Sequence, residues 1–246
     1  MFDSANTGKW WDKGITLVEG CTKVSKACDN CWSLSMENRF RKRDKSVKFH
    51  GERLEKIRSR KKPTAYAIWN DLFHEEVTFD QIDLFMDAAS DMYRHTFLVL
   101  TKRPARALEY FTYCANRIKD AGFDSIPSQS DNIFDYYDPM PNLWIGVTAE
   151  DQRTANERIP ILKNIPAKYR FISFEPLLEN VFIYVHNLKG KIHWMIAGPE
   201  TGLKKRKCNY EWIDSLFFQS RSIHSLFYDK GDILGVGIRE FPRNVQ

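Results

Sequence analysis

Short, mostly apolar runs alternate along this chain with stretches of helical periodicity, and that rhythm is the strongest constraint on its fold. The runs are Ile15–Val18, Ala65–Trp69, Thr96–Leu100, Leu143–Val147, Arg170–Phe174, Ile192–Ala197 and Ser225–Tyr228. A strand with one wet face alternates apolar and polar residues. A strand apolar at nearly every position is covered on both faces, as in a parallel sheet lined by helices. Helical patterns fill the gaps: 29–43, 79–93 behind a candidate N-cap at Thr78, 104–121 opening on Pro104, and 209–221. Alternating strands and helices predict βαβ units with right-handed crossovers. The expectation is therefore an α/β fold, a partial parallel β/α barrel of six to seven strands. It forms a single domain over 1–246, with a core at about 11–230 and a tail, 231–246, that wraps the barrel or closes one end. The Asp- and Pro-rich stretch 122–141 reads as an excursion loop, and 175–191 is too short for a full crossover helix.

With 43% hydrophobic and 28% charged residues, the chain has material for a packed core, which argues against disorder. No apolar run approaches the roughly 20 residues of a membrane span. Met1–Trp11 lacks the apolar centre of a signal peptide, so a cytoplasmic location is expected. The formal net charge is +5, unevenly spread: 39–62 holds twelve Lys or Arg against Asp44, Glu52 and Glu55, or +9, leaving 5 − 9 = −4 elsewhere. Such a segment is either a solvated face or the footprint of a polyanionic partner such as nucleic acid.

Cysteine usage narrows the chemistry. There are five cysteines, an odd number with three clustered, which does not suit a secreted disulfide framework. Cys114 falls in a helical pattern, and Cys208 follows a basic run with no role assigned. Cys21, Cys28 and Cys31 form a Cys-x6-Cys-x2-Cys motif between the first strand and the first helix, at the barrel mouth where sites of this fold lie. A structural zinc ion takes four ligands, and the nearest following candidate is the distant His50. A [4Fe–4S] cluster on three thiolates keeps one iron open to a non-protein ligand. Iron–sulfur, zinc and unliganded thiols all remain open on spacing alone.

The strand ends are loaded with polar residues: Asn70 and Asp71, Thr101 and Lys102, Thr148 and Glu150, Ser173 and Glu175, then Glu200. At a barrel mouth these are candidate contacts for a charged nucleoside cofactor, although each alone can be a cap or a turn.

The ordered set of Gly20–Ser25 with Cys28–Cys31, Asn70–His74, Leu100–Pro104, Asn142–Thr148, Arg158-Ile159, Phe171–Leu178 and Trp194–Gly202 resembles a bacteriophage and prophage family with a three-cysteine domain of the radical S-adenosylmethionine superfamily, distantly similar to spore photoproduct lyase, a DNA repair enzyme. The resemblance implies a [4Fe–4S] cluster on Cys21, Cys28 and Cys31, and S-adenosylmethionine cleaved reductively to a 5′-deoxyadenosyl radical. It also implies an electron donor such as flavodoxin or ferredoxin, and a substrate that is nucleic acid or a nucleotide. The chain departs from the superfamily in its first cysteine gap, six residues instead of three, and in Asn70-Asp71 where glycine-glycine-glutamate is usual. The alternative is a non-enzymatic, zinc-containing nucleic-acid-binding module.

Overall fold

A computed structural model describes residues 8–39, 46–121, 138–202 and 204–242, the side chains of 36–39 excepted. Most of the expected excursion loop, the early part of the basic segment (40–45) and the end of the tail lie outside the described residues.

The chain forms an α/β partial barrel. Strand β1 (Lys13–Ile15) is followed by β2 (Val18–Glu19), α1 (Trp32–Arg39), β3 (Lys48–Phe49), α2 (Leu54–Arg58) and β4 (Ala65–Ile68). Then come α3 (Phe79–Asp91), β5 (Thr96–Thr101), α4 (Pro104–Asp120), β6 (Leu143–Thr148), α5 (Gln152–Asn164), β7 (Tyr169–Phe174), β8 (Trp194–Ala197), α6 (Tyr210–Ser222) and β9 (Leu226–Asp229). Seven strands make one sheet in the order β1-β4-β5-β6-β7-β8-β9, every pair parallel. The two edge strands, β1 and β9, do not pair with each other, so the barrel is open.

Local signals set the helix boundaries. Thr78 caps α3 in a reciprocal box with Gln81, and Pro104 opens α4. Asp151 caps α5 through Thr154. The expected first strand divides: Lys13–Ile15 enters the sheet beside β4, while Val18–Glu19 turns away to pair antiparallel with β3. The helix expected over 29–43 begins later, at Trp32, behind a 3-10 turn at Lys26–Cys28. Between β7 and β8 there is only a 3-10 turn, Val185–Asn187, as the short spacing required. Among the described residues no helix is long and apolar enough to cross a membrane.

Strand residues alternate between two buried layers. Tyr66, Ile68, Phe97, Val99, Ile145, Ile172, Met195 and Phe227 pack under the helices. Ala65, Leu98, Trp144, Phe171, Trp194, Ile196 and Tyr228 fill the concave face together with Trp10. This interior is aromatic. Trp10 meets Phe171 and Trp194 edge-on at 5.6 and 5.9 Å, and Trp144 stacks on Tyr169 at 4.5 Å. The tail closes the same end. Arg239 bridges to Tyr228, the Glu240 carbonyl accepts from the Trp194 indole at 2.9 Å, and Phe241 packs on Trp194 and Tyr228.

Gly146 makes room for this filling. A Cβ there would lie 2.5 Å from the Phe171 ring of the neighbouring strand. Gly146→Ala should therefore lower stability by about 1–3 kcal/mol. Adding Phe171→Leu should restore part of the loss, which urea unfolding midpoints of the single and double variants will reveal.

Candidate functional site

A cavity of about 400 Å³ opens where the parallel strands end. That size suits one small-molecule ligand. Cys21, Cys28 and Cys31 line it, as do Asn70, Asp71, Thr101, Lys102, Thr148, Ser173, Glu175 and Glu200. Eight of the nine polar positions expected from the strand ends are thus brought together with the three cysteines. The ninth, Glu150, is buried behind Lys102 and contributes through it.

The cysteine loop is tied to the sheet beside each thiol. Arg103, at the N-cap of α4, donates to the Thr22 hydroxyl at 2.6 Å and its carbonyl at 3.3 Å, and places Nη1 4.0 Å from Cys21 Sγ. Its other contacts are carboxylates, Asp71 at 3.1 Å and Glu75 at 2.8 Å. His74 completes this corner. Its Nδ1 accepts from the Glu76 amide at 3.2 Å, so Nε2 carries the proton and donates to Thr22 Oγ1 at 2.9 Å.

Near Cys28, Lys102 ion-pairs with Glu150 and reaches Ser25 Oγ at 3.3 Å, while Ser25 donates to Glu150 at 2.8 Å. Arg158 from α5 holds the other carboxylate oxygen at 2.9 Å. Near Cys31, the Asn30 amide donates to Glu200 at 3.1 Å, and Glu200 is paired with Arg206.

These charges bias the thiols. Burial pushes Cys28 up, but Lys102 and the Val24 and Ser25 backbone outweigh it, so its pKa falls below the ordinary thiol value. Burial raises Cys21 to about 11 against the pull of Arg103. Cys21, Cys28 and Cys31 are three thiols from one loop, each beside a residue bonded to the sheet, on the wall of a cavity. Cys114 and Cys208 lie elsewhere, against the helix-side core. Among the described residues no three His, Cys, Asp or Glu side chains converge as ligands of a single ion would. His50 pairs with Glu19 and Glu52 at 3.2 and 3.1 Å, away from the cavity lining.

Asn70 sits just past β4 with φ of 62°, a left-handed conformation that costs a non-glycine residue energy. Its side chain compensates by accepting from Ser33 at 2.8 Å and donating to the Val18 carbonyl at 2.7 Å, which joins α1 and β2 to the strand end.

A model for the family described as Protein of unknown function (DUF5131) matches residues 6–232. The chain belongs to the DUF5131 family. No curated protein and no solved structure matches it. The match spans β1 to β9 and ends just beyond Lys230, so the whole strand-end cavity falls within the DUF5131 region.

Several residues of the site were not among the candidate contacts read from the sequence, although Ser25 and Arg158 fall within the motifs that carry the resemblance. Ser25 and Arg158 are defined by the charge of Glu150, and Arg206 by Glu200. Trp10 and Trp11 precede the first strand without periodicity; two adjacent tryptophans beside a strand are the signal available.

Burial alone would raise the Glu150 pKa, but Lys102, Arg158 and Ser25 hold it at about 2 against an ordinary 4.5. A carboxyl whose pKa is depressed on folding stabilises the native state above its unfolded pKa, and the contribution fades as pH falls toward the folded one. Stability should fall as pH drops from about 4.5 to about 2. Glu150→Gln, which leaves two buried cations unpaired, should cost about 3 kcal/mol at neutral pH and flatten that acid dependence. Urea midpoints for both proteins across this range measure the two effects together.

Proposed function

We propose that this DUF5131 chain is an enzyme of the radical S-adenosylmethionine superfamily, with a [4Fe–4S] cluster on Cys21, Cys28 and Cys31 at the C-terminal mouth of the partial barrel. One observation carries the reading: three thiols of a single loop share one cavity with the polar ends of six parallel strands. A cubane takes one thiolate per iron, so three cysteines leave one iron for a non-protein ligand. When bound and reduced by an external donor, the cluster would supply one electron to the sulfonium of S-adenosylmethionine, breaking a carbon–sulfur bond to give methionine and a 5′-deoxyadenosyl radical.

The chain's own residues hold and shield these groups. Lys102 places positive charge beside Cys28 and favours the thiolate form a metal needs, while Arg103 beside Cys21 offsets part of what burial costs that thiolate. Asp71 accepts from Thr101, from the Lys102 amide and from Arg103, at 2.7, 3.0 and 3.1 Å. Its part is to position that cationic wall. Lys102 and the exposed Trp32 line the cavity, the first suited to a carboxylate and the second to an adenine ring. The apolar floor, with Leu98, Leu100 and Ala67, excludes water from a reactive radical. In the zinc alternative the fourth ligand is His50 or water, and among the described residues His50 is engaged by Glu19 and Glu52.

Anaerobic reconstitution with iron and sulfide should give a brown protein that forms 5′-deoxyadenosine from S-adenosylmethionine and dithionite, followed by chromatography. Cys21→Ala, Cys28→Ala and Cys31→Ala should each abolish product, whereas Cys114→Ala should keep it. A colourless protein with stoichiometric zinc, or full turnover in Cys28→Ala, refutes the assignment.

We extend the proposal to a nucleic-acid partner for the basic segment, and to an electron donor of the flavodoxin or ferredoxin class. β3, inside that segment, abuts the cysteine loop: a Cβ on Gly20 would lie 2.9 Å from the Ser46 carbonyl. Arg53, Arg58 and Arg60 make internal bonds, while Lys56 and Lys61 face solvent. DNA or RNA affinity should fall steeply with salt, as phosphate contacts release counterions. Salt-independent retention on a filter, or none, removes this partner.

A further inference from the structure

The cavity has a second wall whose chemistry differs from that of the cysteine side. The indole of Trp10 donates to Glu175 at 2.8 Å, Ser173 donates to the same oxygen at 3.1 Å, and Lys230 from the end of β9 pairs with the other. Trp11 stands edge-on to Trp10 at 4.8 Å and 87°, with the Lys230 ammonium 5.9 Å from the Trp11 ring centre. Trp10 is 4% exposed and wedged among Phe171 and Trp194, so the pair is rigid. Trp11 is only half-buried and lines the cavity.

Two features of this wall point to a flat heterocycle. A fixed indole with an accessible surface is a stacking platform, and any planar π system gains by covering it. The Lys230 ammonium, at 27% side-chain exposure, presents a donor beside the Glu175 carboxylate, whose Oε1 is buried against it and whose Oε2, accepting from Trp10 and Ser173, is the acceptor. An edge carrying a donor beside an acceptor answers that pair, and every nucleobase has such an edge. An aliphatic acid would leave the tryptophan uncovered.

We propose that Trp11, Glu175 and Lys230 form a substrate subsite that takes a nucleobase, stacked on the indole and bonded at its edge to the ion pair. What happens to the base there rests on the function proposed above; the binding itself rests on this wall alone. The base can arrive as a free nucleoside or flipped from a polynucleotide, and the two sources are separable.

The test is quenching of tryptophan fluorescence in the reconstituted protein, with S-adenosylmethionine present in excess so that its adenine already occupies its own place. Uridine, cytidine, guanosine and a short single-stranded oligonucleotide are titrated, with ribose 5-phosphate as the control lacking a ring. At least one base should bind while ribose 5-phosphate does not. Trp11→Leu should weaken that binding about tenfold, and Trp11→Phe should keep most of it. Glu175→Gln should weaken it while leaving the visible absorption of the cluster unchanged. Tighter binding of the oligonucleotide than of the nucleosides identifies a polynucleotide source, and the reverse a free one. Equal affinity in wild type and Trp11→Leu, or no base binding at millimolar concentration, overturns the subsite. The cluster spectrum and 5′-deoxyadenosine, read on the same sample, report separately on the radical chemistry.

Discussion

A loop carrying three thiols has little reason to keep a shape. Cys21 to Cys31 includes only one short 3-10 turn and no long regular element. Its order comes from the sheet below, through charge-assisted bonds from Arg103 to Thr22, from Ser25 to the Glu150–Lys102 pair, and from Asn30 to Glu200. Each anchor stands within three residues of a cysteine and sits on or just past a different strand, β5, β6 and β8. Bonds to ionised groups are stronger than neutral ones, more so where water is scarce. The interior of the barrel mouth meets that condition: Asp71, Arg103, Glu150 and Glu200 are all less than 9% exposed.

Buried charges of this kind are costly unless fully paired, and here each is over-paired. Glu150 receives Lys102, Arg158, Ser25 and Thr148. Asp71 receives two side chains and two backbone amides. The same pairs that hold the loop also set the potential at the thiols. Folding stability and thiol acidity are therefore coupled through the same few side chains, and removing Glu150 would disturb Cys28 without touching it.

The strands were legible because burial on both faces leaves unbroken apolar runs, and six of seven run positions agree with strands of the sheet. The first was misread because Ile15–Val18 is one β-prone run, yet Thr16 and Leu17 carry the chain out of the sheet toward β3. The loaded strand ends were legible for the same reason: a polar residue directly after a buried strand has nowhere to go but the mouth. Which of them faces the cavity was not. Glu150 is turned inward by Arg158, eight residues on, and by Ser25, 125 residues away. Only the folded chain brings such partners together. Trp10 was invisible for a related reason, since its place inside the barrel is set by Phe171, Trp194 and Glu175, none of them near it in sequence.

The division of the cavity follows from the open barrel. A closed ring of strands would present a symmetric rim, and its interior would be filled by strand residues alone. Here Trp10, from before β1, packs on residues of β7 and β8 with Trp11 beside it, Phe241 from the tail packs on β8 and β9, and Lys230 extends from the last strand. Trp10, Trp11 and Lys230 supply the aromatic wall of the cavity, whereas the continuous part of the sheet, β4 to β6, supplies the cationic wall at the cysteines. One cavity in this chain thus has two chemically distinct walls, one of thiols and cations and one of indoles beside a buried ion pair.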